Sequence, residues 1–189
     1  DANIKLAAEY TVWSAMANAG QSCIGAERVY VHTKIVDDFK KELVRIVSEL
    51  ETGRHYGPAT MPKQLEIIKR HVINTVNDMD EAIALSNASE YGLGASVFSR
   101  WNGYKIAQQL ECGMVGINTA FTFAAIPSVP FGGAKESGYG RIHGPEGLFE
   151  FTYARTLVKP RFEIPLRATS FKRTKWQERL ISQLSRLFS

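Results

Sequence analysis

The stretch Asn18–His32 reads NAGQSCIGAERVYVH. Its second half, RVYVH (28–32), alternates and is β-branched or aromatic, which reads as a strand. Its first half is small, polar and glycine-bearing, which reads as a turn. One thiol, Cys23, sits in that turn. No second cysteine or histidine lies close enough in sequence to share a metal with it.

Outward from this stretch the chain alternates. Residues 2–17, ANIKLAAEYTVWSAMA, are rich in Ala and Leu with apolar residues at helical spacing, and Gly20 supplies a stop. KIVDDFKKELVRIVSEL (34–50) places Ile35, Phe39, Leu43, Ile46, Val47 and Leu50 on one helical face. TGRHYGPAT (52–60) is a loop. PKQLEIIKRHVI (62–73) is predicted as a helix with Pro62 in its first turn. NDMDEAIALSNA (77–88) is a helix capped by Asn77 or Asp78. Strands are expected at 93–99, 114–118 and 154–160, and helices at 101–111 and 145–152. Strands alternating with helices predict an α/β fold, a layered, mostly parallel sheet with flanking helices.

The chain has 189 residues, 44% of them hydrophobic and 22% charged, so a packed core is expected and general disorder is not. Two cysteines do not make a disulfide framework, and a reducing, cytoplasmic setting is the expectation. The start, DANIKLAAEY, has neither an initiator Met nor the pattern of a signal peptide, so the chain is expected to begin within a protein. Residues 159–189 hold eight Lys/Arg and two Asp/Glu, a net of +6; residues 1–158 hold 15 and 17, a net of −2. The basic charge therefore belongs to the last residues, and no nucleic-acid partner is expected for the body. Within those last residues KWQERLISQLSRLF (175–188) sets Trp176, Leu180, Ile181, Leu184, Leu187 and Phe188 on one helical face. An amphipathic basic helix in a C-terminal extension, 161–189, is predicted, facing a membrane surface or a partner groove, or packing on its own subunit or a neighbour in the oligomer.

A thiol becomes a catalyst when its thiolate is accessible and its product is stabilised. Ser22, Gly20 and Gly25 leave room for a carbonyl to approach Cys23 and for backbone N–H groups to meet a developing oxyanion. Gln21 is placed to fix the turn. A lone cysteine is otherwise most often a small buried apolar residue, and Cys112, before Gly113, is read that way. A second unusual run is PFGGAKESGYGRIHGPEGLFEFT (130–152). Its glycines mean a backbone that turns tightly or is pressed against something. No phosphate-loop spacing fits it, so packing across a domain or subunit boundary is the favoured reading over a phosphate cradle.

Taken together, the two runs resemble the NAD(P)-dependent aldehyde dehydrogenase superfamily. NAGQSCIGAERVYV is similar to its catalytic-cysteine segment, with an N-x-G-Q-x-C core and an arginine before the strand. PFGGAKESGYGRIHGPEGLFEFT is similar to its C-terminal signature, and DMDEAIALSNASEYGLGASVFSR and GMVGIN match the elements between. The resemblance covers residues 1–160, which it makes the catalytic domain of that fold. It implies that Cys23 is the nucleophile, forming a thiohemiacetal and then a thioester as NAD or NADP takes hydride, with the Cys23 N–H as an oxyanion donor. It places Ser22, Ile24 and Phe131 in the substrate pocket, with Phe123 or Phe121 beside them. It implies a small-molecule aldehyde substrate, aliphatic or a semialdehyde such as succinate semialdehyde, and a homodimer or homotetramer with strand 154–160 near a subunit boundary. Arg28, Lys135 and Arg141 are the candidate cations for a substrate carboxylate.

The chain also departs from the family pattern. The coenzyme-binding domain, the general-base Glu and the oxyanion-binding Asn of the family precede the region matched here, so no cofactor-binding residue is assigned. Relatives also carry several tens of residues, with an E-E-x-F-G-P segment, where this chain runs from Ile73 straight to Asn74. The alternative the departures raise is a truncated, inactive relative acting as a structural or interaction module.

Overall fold

A computed structural model describes residues 1–161 and 171–187. The chain forms two compact units, residues 1–153 and 154–189.

The first unit begins with helix α1 (Ile4–Met16), whose Leu6 N–H donates to the Asn3 side chain at 3.2 Å. Such a cap satisfies one of the donors a helix start leaves open. Strand β1 (Arg28–His32) follows, then helix α2 (Val36–Ser48). Ala7 and Ala8 of α1, Val31 of β1 and Val36 and Phe39 of α2 form the buried core, with Leu43 and Ile46 packed on it. The apolar face read from the sequence of α2 is therefore the buried one, except that Val47 is exposed. Asp37 and Asp38 stand in the first turn of α2, where the helix dipole favours them.

Helix α3 runs only from Pro62 to Ile68, and strand β2 (Val72–Val76) comes directly after it. This corrects the predicted helix over 62–73. Val72, Ile73, Thr75 and Val76 are β-branched and suit a pleated strand better than a helix. The strand also finds a partner: β2 pairs parallel with β1 from Arg28↔Val72 to His32↔Val76. The Val72 N–H leads the ladder by donating to the Glu27 carbonyl at 2.9 Å.

Helix α4 (Met79–Asn87) is capped at Asp78, whose carboxylate accepts from the Glu81 N–H at 2.8 Å. The Glu81 carboxylate reaches back to the Asn77 N–H at 2.7 Å. The expected strand 93–99 is shorter, running over 94–97, and a separate two-residue strand precedes it. β3 (Tyr91–Gly92) pairs antiparallel with β6 (Ala134–Lys135), and β4 (Gly94–Val97) pairs parallel with β5 (Met114–Ile117). Helices α5 (Gly103–Ala107) and α6 (Gly144–Phe149) are shorter than the predicted 101–111 and 145–152. Among the described residues, parallel pairing in two of the three two-stranded sheets, each crossover carrying helix, is the α/β pattern expected.

The glycine-rich run is pressed against its own chain. A Cβ on Gly113, at the entry to β5, would collide with the Gly132 carbonyl oxygen. The Arg141 guanidinium binds the same run, donating to the Gly133 and Gly140 carbonyls at 2.9 and 2.6 Å.

In the second unit, residues 154–160 form no strand within the chain, which corrects the strand expected there. Leu157 and Val158 are 79% and 85% exposed, and among the described residues no neighbouring strand meets their backbone. Alternating apolar residues make a strand only when another strand takes their hydrogen bonds. Helix α7 (Lys175–Leu187) forms where the amphipathic pattern predicted it; Phe188 lies outside the described residues.

Replacing Gly113 with Ala forces backbone to move, so we expect the G113A variant to lose about 2 kcal/mol or more of stability. A lowered urea midpoint at unchanged slope checks this; a midpoint equal to wild type contradicts the packing described.

Candidate active site

Cys23 stands on a turn that is built stiffly. Asn18, Ala19 and Gly20 take left-handed backbone angles in succession, with φ of 52°, 56° and 74°. Asparagine and glycine adopt this region readily, whereas alanine is strained there. The run reverses the chain at the end of α1. A side chain on Gly20 would also approach the Ala15 carbonyl at 3.0 Å and Ile68 at 3.3 Å.

Gln21 locks the turn on two sides. Its side-chain amide donates to the Asn18 carbonyl at 3.0 Å, and the Asn18 amide donates to the Gln21 carbonyl at 3.1 Å. The Gln21 Oε1 accepts from both the Thr60 N–H at 2.8 Å and the Thr60 hydroxyl at 2.6 Å. Glutamine thus fixes the turn, as its position in the motif led us to expect. Thr60, which sequence reading left in a featureless loop, is its long-range partner.

Ser22 to Gly25 then forms a tight turn, closed by the Gly25 N–H donating to the Ser22 carbonyl at 3.0 Å. The next N–H, of Ala26, donates to the buried Ser14 hydroxyl at 3.1 Å. Cys23 lies at the tip of this turn, exposed and free. Among the described residues its N–H and its sulfur have no hydrogen-bond partner.

The thiol lines a cleft of about 580 Å³. One wall is Asn18, Gly20, Gln21, Ser22 and Cys23; the other is Thr60, Met61, Gln64 and Ile67, from α3 and the residues before it. Glu27 and His71 complete the lining and are its ionisable groups besides Cys23. Neither was singled out from sequence. The β1–β2 ladder explains their meeting, since it sets residue 72 beside residue 28.

Of the expected pocket residues, the cleft gathers Ser22 and Cys23. Ile24 occupies the turn but does not line the cleft. Phe123 packs on the β4–β5 pair, its ring 3.2 Å from where a Cβ on Gly94 would be. Phe121 stands edge-on to Trp13 of α1, with ring centroids 4.9 Å apart. Phe131 bridges to Ile142 by paired backbone hydrogen bonds of 2.7 and 2.8 Å, its ring 6.1 Å from that of His143.

The three candidate cations are occupied by their own chain. Arg28 donates to the Ser89 hydroxyl at 2.8 Å, and Arg141 holds the glycine-rich run. Lys135 donates to the Asn87 carbonyl and pairs with Glu111 at 2.8 Å. None of the three lines the cleft. Among the described residues no group of His, Cys, Asp and Glu could hold a metal.

Cys112 differs from Cys23. It is half-buried, and burial pushes its thiol above the ordinary range, partly offset by its bond to the Met114 carbonyl and by Lys135. Its sulfur lies 3.2 Å from that carbonyl oxygen. That is the structural role its sequence position implied.

With this geometry in view, the comparisons with known proteins are specific. The profile of the aldehyde dehydrogenase family matches residues 1–73 and 71–157. The chain belongs to the aldehyde dehydrogenase family. The two matching pieces meet at residues 71–73, at the start of β2, beside the join where the sequence departs from the family pattern.

Among its relatives, a 4,4'-diapolycopene aldehyde oxidase of a Methylomonas species is 27% identical over 217 residues, covering 87% of this chain and 41% of the relative. A putative succinate-semialdehyde dehydrogenase [NADP(+)] of Mycobacterium ulcerans is 29% identical, covering 84% and 42%. An aligned span of 217 residues exceeds the 189 of this chain, so that relative holds residues within the span that this chain lacks. The structure of a Mycobacterium tuberculosis aldehyde dehydrogenase complexed with NAD+ superposes with a TM-score of 0.76 at 26% identity, covering 87% of this chain and 46% of that one. The chain spans less than half the length of the curated relatives it matches.

Two outcomes test this description of the site. Iodoacetamide at neutral pH is expected to label Cys23 well ahead of Cys112, and Cys112 to gain only above the ordinary thiol range, because the thiolate reacts and burial disfavours it. Peptide mass spectrometry reads both; early labelling of Cys112 contradicts it. The Gln21→Leu variant leaves two Thr60 donors without their acceptor and is expected to lose about 1–2 kcal/mol of stability in urea unfolding. Wild-type stability in that variant removes the lock from the account.

Proposed function

We propose that the chain carries the nucleophile of an NAD(P)-dependent oxidation of an aldehyde to its carboxylic acid, and that Cys23 is that nucleophile. The observation that carries this reading is the exposed Cys23 at the tip of a pinned turn, its N–H without an acceptor among the described residues. Cys23 gives up its proton and its sulfur bonds the aldehyde carbon. The carbonyl π electrons move onto oxygen, and the Cys23 N–H donates to that oxygen as charge develops. Gln21, Asn18 and Thr60 keep the turn from yielding as the substrate arrives. Glu27 and His71 are the groups of the cleft able to receive the thiol proton.

The described residues do not fit a whole dinucleotide. The cleft lining contains no Lys or Arg to meet a pyrophosphate, and α3 has only seven residues. These residues therefore carry the proposed reaction as far as the thiohemiacetal. NAD or NADP, the cofactors named for relatives, is the oxidant of the overall reaction we propose.

The same lining bears on the substrate. A semialdehyde brings a carboxylate, whose burial without a cation is costly. Arg28, Lys135 and Arg141 are held elsewhere. As far as the described residues line it, the cleft suits an uncharged aliphatic aldehyde better than succinate semialdehyde.

One observation favours a second reading, a non-redox module related to the family. β2 pairs with β1 in unbroken register across the join where relatives carry additional residues, so the chain closes without them. The two readings separate in one experiment. Wild type and Cys23→Ala are treated with 4-nitrophenyl acetate, then with octanal or succinate semialdehyde plus NAD+ or NADP+. We expect acylation of wild type at Cys23 by intact mass, none at that site in Cys23→Ala, and reduced nicotinamide formed faster from octanal. Acylation without reduced nicotinamide supports the module. Equal acylation of both proteins sinks Cys23 as the nucleophile.

A further inference from the structure

We propose that helix α7 is a docking element for the surface of an anionic lipid bilayer. Its apolar stripe is Trp176, Leu180, Ile181, Leu184 and Leu187, at i, i+4, i+5, i+8 and i+11. These side chains share one side of a helix turning every 3.6 residues. Ile181 is half-buried and the others are exposed, Trp176 to 61% and Leu187 to 77%. Lys175, Arg179 and Arg186 recur at i, i+4 and i+11 on the opposite side, with Glu178 as the helix's one acidic residue. Lys172 and Arg173 precede the helix, and residues 159–189 together carry +6 while residues 1–158 carry −2.

This division of charge argues for the occupant. A bilayer bearing acidic headgroups offers a plane of negative charge over an apolar layer. A helix with one apolar face and one basic face satisfies both when it lies flat in the boundary. Trp176 suits that boundary, where its ring is buried and its N–H stays wet. A partner helix is less well served. Thirteen residues hold fewer than two heptads, short of what a coiled coil sustains. Among the described residues no helix is long and apolar enough to cross a membrane, so the attachment is to the surface.

The test is co-sedimentation of the whole chain with vesicles of phosphatidylcholine alone and of phosphatidylcholine with phosphatidylglycerol. Binding is expected to the second, at least about 10-fold tighter than to the first, and to weaken as salt rises. The K175Q/R179Q/R186Q variant is expected to lose on the order of 100-fold, about 5-fold per charge. The L180E/L184E variant is expected to stay in the supernatant with either vesicle. Both variants alter exposed positions, and an unchanged helix content by circular dichroism shows that α7 is intact. Binding by L180E/L184E at the wild-type level overturns the proposal. So does wild type that ignores anionic vesicles, whether it remains monomeric or forms dimers that L180E/L184E abolishes.

Discussion

The parallel pairing of β1 with β2 is the constraint on which the rest of the site depends. It sets Val72 beside Arg28 and begins where the Val72 N–H meets the Glu27 carbonyl, two residues past the turn that holds the thiol. Everything just before Val72 is thereby brought beside everything just before Arg28. His71, α3 and Thr60 come to face Cys23 for that reason and need no contact of their own to find it. The Gln21–Thr60 bonds then fasten what the ladder has brought together. On the other side β1 lies against α1 and α2 through Val31, so the turn is tied to the buried core within a few residues.

How much of this was legible in the sequence follows from how local each signal is. Helix α2 was readable because Phe39, Leu43 and Ile46 repeat at the spacing of its own turns. The motif around Cys23 was readable because its residue types are adjacent. β2 was not, since Leu65, Ile68 and Val72 continue a helical spacing through Lys69–His71. Only the partner strand, some 40 residues earlier, decides the matter. The strand expected at 154–160 fails for the reverse reason: its pattern is adequate, but the described residues offer its backbone no ladder. Phe123 and Phe131 were placed in the pocket by resemblance; within this chain they neighbour strand glycines and Ile142. Thr60, Glu27 and His71 carried no local signal, because the fold alone brings them to the cleft.

The two thiols show how environment separates like groups. Cys23 meets solvent on a turn whose backbone is fixed and whose N–H is unspent. Cys112 is turned toward the Met114 carbonyl, and burial disfavours its thiolate. One meets solvent at a fixed turn and the other is a packing residue, though both follow helical segments and stand close to glycine.

The meeting of Gly113 with the Gly132 carbonyl has a consequence for how such a chain diverges. Most core positions can change in pairs, one side chain shrinking as its neighbour grows. Here the obstacle to any side chain is a carbonyl oxygen of the main chain, which no exchange of residues can make smaller. No second-site change of side chain restores the fit, so drift at this point is barred rather than slowed. Position 113 therefore admits glycine alone for as long as these two stretches of main chain meet.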